Sequence, residues 1–296
     1  MQKLLLGLIG AGIQRSLSPA LHEEEGAHHG LRVHYQIIDI EGAGAEALPA
    51  LIRTARLIGF AGLNVTYPCK QSVIALLDGL SEDAKAIGAV NTVVRDGERL
   101  VGHNTDGSGW AWGFCRALPR ADLRRVVLLG AGGAGSACAD AVLRLGARDL
   151  VVVDRDHARA EDLASRLKRI FSGRTISMER DVQTALPGAS GLIHATPTGM
   201  AGAPGMALPA ELLRPPLWVS EVVYVPLETE LLRAARRAGC EVMDGGHMTV
   251  GQAIGAFKLF TGLDADPGRM DAHFRQLVSA SLQGGGRKMA SKEEHP

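Results

Sequence analysis

The stretch "VVLLGAGGAGSACADAVLRLG", residues 126–146, decides the fold of this chain of 296 residues. An apolar run typical of a buried strand passes through Gly130, Gly132 and Gly135 into a helical pattern. Glycines at this spacing permit a tight turn and let a pyrophosphate approach the N-H groups at the helix N-terminus. The alternative is a small-residue turn that serves only close helix packing. We predict a dinucleotide site whose contacts are Gly130, Ala131, Gly132, Gly133 and Ala134.

The next strand, "LVVVD", ends in Asp154, about 20 residues after the turn, where a carboxylate can accept hydrogen bonds from ribose hydroxyls. A 2'-phosphate facing that carboxylate would be repelled by about 4 kcal/mol per charge pair at 4 Å, for an effective dielectric of about 20. Arg155 is a second predicted cofactor contact and could clamp such a phosphate. The pattern favours NAD and leaves NADP open.

A second Gly-Ala-Gly break lies in "LLLGLIGAGIQRSLSPALHEEEG", residues 4–26, but no helix follows it directly. The helix is predicted to begin at Pro19, with Ser18 as its N-cap. Ser16 and Ser18 then place two hydroxyl donors near a helix N-terminus, which suits a carboxylate. The alternative is that Ser18 only caps the helix and Ser16 is a solvated loop residue.

Alternating strand-like and helical patterns predict an α/β fold with largely parallel sheets and two domains. A mainly parallel α/β substrate domain spans residues 1–107, and a Rossmann-like dinucleotide domain spans residues 108–245. The last helical pattern, "TVGQAIGAFKLFTG", is expected to return to the first domain, which therefore includes residues 246–283. The glycine-rich, charged segment 284–296 is expected to be a disordered tail.

Hydrogen-bonding residues follow several apolar runs of the first domain: Asn64, Thr66 and Lys70 in "GLNVTYPCK", Asn91 in "GAVNTVV", and Asp106 in "GHNTDGSGW". Open α/β sheets bind ligands at such strand ends. These side chains suit a small, polyhydroxylated acid, although each residue type is also common in ordinary turns.

The charge balance and the cysteines limit the classes of binding partner and the cell compartment that we expect. Lys plus Arg and Asp plus Glu both number 32, so no charge excess indicates nucleic acid or an anionic membrane. No apolar run approaches about 20 residues, and the start resembles a buried strand more than a signal peptide.

The four cysteines lack a CxxC spacing, which favours reduced thiols in the cytoplasm. We expect a monomer or homodimer, and we expect no metal, since no Cys/His cluster or HExxH occurs. The histidines are expected to have structural or surface roles, with His194 packed at a strand end. His103, beside a predicted catalytic strand end, is the one candidate for a neighbour of the substrate.

Several motifs in order along the chain resemble one family. They are "SLSPALH", "GLNVTYPCK", "GAVNT", "GHNTDGSG", "GAGGAG", "ATPTGM", "YVPLETELL" and "GGHMTVGQA". This set resembles the shikimate and quinate dehydrogenase family over nearly the whole chain. Asp154 makes it most similar to the NAD-dependent quinate/shikimate branch, because the NADP-dependent branch usually has Asn-Arg-Thr at residues 154–156.

The resemblance implies roles for particular residues. Ser16 and Ser18 would bind the substrate carboxylate, and Lys70 with Asp106 would be the catalytic pair. The ring hydroxyls would be surrounded by Asn64, Thr66, Lys70, Asn91, Asp106 and Gln252. Tyr224 would border the substrate, and further cofactor contacts would come from Thr196, Val223, Gly246 and Met248. Glu221 stands where relatives commonly have Asp, which puts a structural contact in doubt.

The implied reaction is reversible oxidation of a ring alcohol of shikimate or quinate, with hydride passing to the nicotinamide. A base must take the hydroxyl proton while a cation steadies the developing alkoxide, and Lys70 and Asp106 suit these tasks together. Ser18, where quinate-preferring relatives often have Thr, predicts that shikimate is accepted at least as well as quinate. The alternatives are an NADP-dependent shikimate dehydrogenase, an enzyme for an amino-substituted analogue, and a non-catalytic sensor of the same metabolites.

Overall fold

The computed structural model describes residues 2–290, with side chains described through residue 281. Its first six-stranded sheet has the order β2-β1-β3-β5-β6-β4. The strands are β1 (Lys3–Gly10), β2 (Arg32–Asp39), β3 (Gly62–Val65), β4 (Gly79–Leu80), β5 (Thr92–Asp96) and β6 (Arg99–His103). Strand β1 is parallel to β2 and β3, and β4 is parallel to β6. Strand β5 runs antiparallel to both neighbours, and the two-residue Gly97-Glu98 turn joins it to β6 as a hairpin.

The second sheet is entirely parallel, with the order β12-β11-β10-β7-β8-β9. Its strands are β7 (Arg125–Leu129), β8 (Asp149–Val153), β9 (Thr175–Glu179), β10 (Gly191–His194), β11 (Trp218–Glu221) and β12 (Val242–Met243). Counted from β7, this is the doubly wound order 3-2-1-4-5-6. The order reverses between β7 and β10, and such a reversal leaves a crevice at the carboxyl ends of the two strands. The predicted two-sheet α/β fold is confirmed.

Helices cover the two sheets. Those of the first half are α1 (Ser18–His28), α2 (Leu48–Ile58), α3 (Glu82–Ile87) and α4 (Asp106–Ala117). The others are α5 (Gly133–Arg144), α6 (His157–Ile170), α7 (Val182–Ala185), α8 (Glu230–Arg237), α9 (Gly245–Thr261) and α10 (Pro267–Ala290). Buried Val, Leu and Ala side chains of β7, β8, α5 and α6 form one large core.

Helices α4 and α9 connect the two sheets. They cross so closely that a Cβ atom on Gly109 would collide with the Gln252 backbone, which explains small residues at the crossing. Helix α9 also reaches the first sheet, where Phe260 occupies the space above Gly62. From the other helix, Trp110 donates from Nε1 to Ser220 Oγ on β11 at 2.9 Å. The N-terminal residue of α4, Asp106, therefore lies where the two sheets meet.

Two local predictions differ from the structure. Ser18 is the first residue of α1 and not its N-cap, because Leu17 already has helical torsion angles (φ −87°, ψ −2°). Helix α10 continues to Ala290, so the segment predicted as a tail is helical over 284–290. Arg, Lys, Met and Ala after the three glycines are good helix formers, which outweighs the glycine run. The rest of that segment, 291–296, lies outside the described residues, and the domain limits stay predictions.

Candidate active site

Lys70 and Asp106 form an ion pair in which Nζ lies 2.5 Å from Oδ2. Their side chains are 17% and 5% exposed, so the pair is largely shielded from water. Lys70 follows β3 in a turn, where its carbonyl accepts a hydrogen bond from Val90 N at 2.8 Å. The structure thus brings the two predicted catalytic residues together with no third side chain between them.

Two asparagines fix the position of Asp106. Asn91 Nδ2 donates to Asp106 Oδ1 at 3.0 Å, so both carboxylate oxygens have a partner. Asn104 Oδ1 accepts from the backbone N-H groups of Asp106 and Gly107 at the start of α4. These bonds satisfy N-H groups that a helix otherwise leaves free. Asp106 is therefore held at a helix N-terminus, where its negative charge is favoured.

A buried polar network extends this arrangement to Asn64. Asn64 Nδ2 donates to Thr92 Oγ1 at 3.1 Å, and its Oδ1 accepts from the Tyr35 hydroxyl at 2.7 Å. Tyr35, Thr92 and Thr105, whose N-H donates to Asn91 Oδ1 at 2.8 Å, were missed by the sequence analysis. Tyr35 lies within the strand pattern "RVHYQIID", which gives no sign that its hydroxyl reaches β3.

The serines of the first Gly-Ala-Gly turn lie beside two tyrosines. Ser16 Oγ donates to Ser18 Oγ at 3.2 Å and accepts from Ser18 N at 3.3 Å. Burial raises the pKa of the Tyr224 phenol, while a hydrogen bond with Ser16 acts in the opposite direction. Burial likewise raises the pKa of Tyr35, opposed by a hydrogen bond with Ser18. Both phenols are thereby kept as neutral hydroxyl donors, next to the two serines.

Two other predicted substrate residues occupy the edges of this region. Thr66 follows β3, and its methyl group fills the space beside Gly10 in the first turn. Gln252 lies on α9, where its side-chain amide donates to Thr249 O at 2.9 Å. Neither side chain contacts the Lys70–Asp106 pair through a hydrogen bond in the described residues.

The second Gly-Ala-Gly turn has the geometry of a cofactor cradle. Gly130 has φ +105°, a conformation that favours glycine. A Cβ atom on Gly135 would collide with the Gly130 carbonyl, whereas one on Gly132 would meet no protein atom within 4 Å. Packing therefore requires Gly135 but not Gly132, beside which the space is open. A Cβ atom on Gly133 would lie 3.2 Å from Lys70 Cδ, so the turn adjoins the Lys70–Asp106 ion pair.

Asp154, 7% exposed, binds the same turn through its carboxylate. Oδ2 accepts from Ala131 N at 2.7 Å and Oδ1 accepts from Asp156 N at 2.9 Å. Arg155 is exposed, and Ala134 packs at the edge of the large core. The predicted acid at the strand end is therefore fixed by backbone N-H groups beside the turn.

The remaining predicted cofactor residues lie around the crevice between β7 and β10, and along α9. Thr196 follows β10, with its methyl group 3.0 Å from the Cβ position of Gly130. Val223 follows β11 and donates from its N-H to Glu221 Oε1 at 3.0 Å. Gly246 and Met248 lie in the first turn of α9, where Asp244 Oδ1 accepts from Gly246 N at 2.9 Å. Glu221, which stands where relatives commonly have Asp, forms hydrogen bonds here, including one with His194.

Other titratable groups lie outside this cluster. Among residues 2–290, no three His, Cys, Asp or Glu side chains group in a way that could hold a metal ion. His103 ends β6, and burial lowers its pKa. Cys69, Cys138 and Cys240 are buried free thiols, and Cys115 is an exposed one. None of the helices in the described chain combines the length and apolar character that crossing a bilayer requires.

Comparison with known proteins identifies matching families along most of the chain. The family model "Shikimate dehydrogenase substrate binding domain" matches residues 8–93, and the model "Shikimate / quinate 5-dehydrogenase" matches residues 116–197. The first match contains Ser16, Ser18 and Lys70, and the second contains the turn at Gly130. The serines with Lys70 and the turn at Gly130 thus lie in separately matched segments, and Asp106 lies between the two.

Whole-length relatives differ in their cofactor. A shikimate dehydrogenase (NADP(+)) of Streptomyces avermitilis is 56% identical over 281 residues, covering 94% of this chain and 97% of the relative. A quinate/shikimate dehydrogenase (NAD(+)) of Corynebacterium glutamicum is 44% identical over 279 residues, covering 93% and 99%. A solved structure of quinate dehydrogenase from Corynebacterium glutamicum in complex with NAD superimposes with a TM-score of 0.85 at 43% identity, covering 93% of this chain and 100% of that one.

Proposed function

The chain belongs to the shikimate and quinate dehydrogenase family, and on that premise we propose that it oxidises a ring alcohol of shikimate, and also of quinate, with NAD as the hydride acceptor. It is an oxidoreductase that acts on CH-OH groups. The proposal depends above all on the Lys70–Asp106 pair, whose lysine stem lies against Gly133 at the cofactor turn. Substrate and cofactor sites therefore meet at one shielded ion pair.

The pair handles the proton of the reacting hydroxyl group. When bound, the nicotinamide ring would accept a hydride from the carbinol carbon, so that the alcohol becomes a ketone. The hydroxyl proton passes to the Lys70–Asp106 pair, while the lysine nitrogen steadies the alkoxide character that develops on the reacting oxygen. Asn91 and Asn104 keep the Asp106 carboxylate in place, so little reorganisation is needed as charge develops.

The substrate carboxylate is assigned to the first Gly-Ala-Gly turn. Ser16 and Ser18 supply two hydroxyls, and the neutral phenol of Tyr224 supplies a third donor. Asn64, Asn91 and Thr66 face the ring hydroxyls from the strand ends, and Gln252 does so from α9. Hydrogen bonds to a carboxylate are among the stronger ones, so this loop orients the ring relative to Lys70.

The preference for NAD rests on Asp154. Its carboxylate is held beside Ala131 by two backbone N-H groups and cannot easily swing away from a cofactor ribose. A ribose hydroxyl can donate to it, whereas a 2'-phosphate would be repelled. Both cofactors occur among the relatives, so NADP-dependent shikimate oxidation is the second candidate.

A spectrophotometric panel tests the proposal. Purified protein is assayed with NAD or NADP against shikimate or quinate, following formation of the reduced cofactor. We expect the highest kcat/KM for NAD with shikimate and a measurable rate with quinate. Protein carrying Asp106→Asn, purified in the same way, controls for dehydrogenases of the expression host. Absence of turnover in all four combinations would leave a metabolite sensor, and a preference for NADP would reverse the cofactor assignment.

We also place this reaction in the cytoplasm, because all four cysteines are free and three of them are buried. The protein is proposed to work as a monomer or homodimer, since both halves of the site come from one chain. Light scattering after size-exclusion chromatography gives the mass in solution, and a larger assembly would contradict this statement.

A further inference from the structure

A buried chain of hydrogen bonds ends at Thr196. His194, the last residue of β10, is 1% exposed, and Glu221, the last residue of β11, is 0% exposed. His194 Nδ1 lies 2.9 Å from Glu221 Oε1, and its Nε2 lies 2.6 Å from Thr196 Oγ1. A carboxylate, an imidazole and a hydroxyl are thus connected in series across two neighbouring strands.

The hydroxyl at the end of this series lies at the predicted cofactor turn. Thr196 is partly exposed, and its methyl group adjoins Gly130 at the reversal between β7 and β10. Val223, a second predicted cofactor contact, is bound by the same carboxylate through its backbone N-H at 3.0 Å. Glu221 therefore fixes two cofactor positions, one directly and one through His194.

The donors around Glu221 determine where the imidazole hydrogen lies. Besides His194, the carboxylate accepts from Val222 N at 2.9 Å, Val223 N at 3.0 Å and Thr229 Oγ1 at 3.0 Å. A carboxylate only accepts, so Nδ1 must carry hydrogen. In the neutral ring Nε2 is then an acceptor, and the Thr196 hydroxyl must donate to it. One lone pair of Thr196 Oγ1 accepts from Thr198 N at 3.3 Å, and the second has no partner among the hydrogen bonds of the described residues.

We propose that Glu221 and His194 are positioning residues that make Thr196 a hydrogen-bond acceptor toward the dinucleotide. Thr196 then receives a donor group of the cofactor, a ribose hydroxyl or a carboxamide N-H, and does not bind a phosphate oxygen. This inference rests on the proposed dehydrogenase function, because it assumes that a nicotinamide dinucleotide occupies the crevice.

The ring state of His194 is tested by long-range ¹H–¹⁵N NMR of the imidazole nitrogens at neutral pH. The resonances are assigned by their loss in His194→Asn. We expect the neutral tautomer with hydrogen on Nδ1. Hydrogen on Nε2, or an imidazolium with both nitrogens protonated, would make Thr196 free to donate and would overturn the proposal.

Binding variants test the consequence without relying on turnover. In His194→Asn the amide can still donate to Glu221 but cannot reach Thr196, and Thr196→Val removes the hydroxyl itself. We expect each variant to weaken NADH binding about fivefold to tenfold in a fluorescence titration, and the double variant to bind no more weakly than either single one. Thr196→Ser should restore wild-type affinity, and His34→Asn on exposed β2 is the matched control.

The outcomes separate this inference from the function on which it rests. Wild-type affinity in Thr196→Val, or additive losses in the double variant, would overturn the role of His194 alone. Failure of the wild-type protein to bind NADH would overturn the dehydrogenase function together with it. Thermal unfolding of each variant identifies a loss of affinity that merely reflects unfolding.

Discussion

In both Gly-Ala-Gly turns, backbone N-H groups donate to an aspartate. The turns differ in the segment that leads from the turn to the helix. In the first, Asp39 at the end of β2 accepts from Gly12 N at 3.0 Å and from Ile13 N at 3.1 Å. In the second, Asp154 after β8 accepts from Ala131 N at 2.7 Å. Each turn is thus bound by an aspartate from the next parallel strand, and each contains a glycine with positive φ, Gly12 and Gly130.

The difference lies in the distance to the helix. After the second turn α5 begins at Gly133, so its free N-H groups face the crevice. After the first turn five residues intervene before α1 begins at Ser18, and serine hydroxyls stand in this gap, at Ser16, and at the start of the helix, at Ser18. We therefore propose that two similar strand-turn starts provide a backbone anion site in one case and a side-chain site in the other. Glycine spacing alone does not distinguish them.

The largest loss of activity is expected for variants of the Lys70–Asp106 pair, which lies between the two turns. Lys70→Met or Asp106→Asn should lower kcat by about 10²–10⁴-fold, because proton transfer in the transition state loses its acceptor. Both ligands should still bind, since the two turns are untouched. Steady-state kinetics combined with NADH and shikimate titrations check this, and near-normal kcat in both variants would refute the assignment.

Low pH should reduce the stability of the protein through the region around the first turn. There α1 buries His22 against Tyr35, with ring centroids 5.0 Å apart. Burial lowers the pKa of His22 from 6.5 to about 4. The unfolded chain therefore binds more protons between these values, so stability falls as pH drops through this window. Between pH 7.5 and pH 5 the loss should be about 2 kcal/mol.

Urea unfolding at the two pH values measures this loss. His22→Leu should remove that part of the pH dependence, and His34→Leu at an exposed position should not. An unchanged pH dependence in His22→Leu would show that other groups are responsible for the loss.

Removing the Ser18 hydroxyl should weaken substrate binding at the first turn and leave cofactor binding unchanged. Ser18→Ala should raise the KM for shikimate about tenfold, because a hydrogen bond to a carboxylate is lost. The KM for NAD should stay unchanged, and Ser279→Ala on exposed α10 is the control. An equal rise in both KM values would mean that the loop does not belong to the substrate alone.

The smallest effect is expected at the aspartate of the second turn. Asp154→Asn keeps an acceptor for Ala131 N but removes the charge, so the ratio of kcat/KM for NAD over NADP should fall about fivefold. The change should be larger at low ionic strength. Asp181→Asn, at the N-cap of α7, removes the same charge elsewhere and should leave the ratio unaltered. An unchanged ratio in Asp154→Asn would mean that another group sets the preference.

Much of the fold and part of the site could be predicted from local sequence. The strand at residues 125–129 and the helix after Gly132 result from hydrophobic periodicity and glycine spacing, which act over a few residues. Local sequence placed Lys70 and Asp106 after strands of one sheet, and the family resemblance implied that they act as a pair. In the structure the two residues form an ion pair.

The features that escaped prediction depend on contacts between distant segments. Tyr35 reaches Asn64 only because β1 pairs with both β2 and β3, and that register is not written in any one strand. The role of Asp39 at the first turn needs the same pairing. The start of α1 was misplaced by one residue because Leu17 adopts helical angles without side-chain capping. Such boundaries depend on small differences in backbone free energy.

The central claim, that the second turn receives the dinucleotide and the first receives the acid, is tested most directly at Gly132. Its angles (φ −73°, ψ −169°) suit any residue, and an added Cβ would meet no protein atom within 4 Å. Gly132→Thr keeps a residue that can cap α5, so the fold should be retained. We predict that NADH binding weakens at least about tenfold while shikimate binding is unchanged. Wild-type affinity for NADH in this variant would contradict the account.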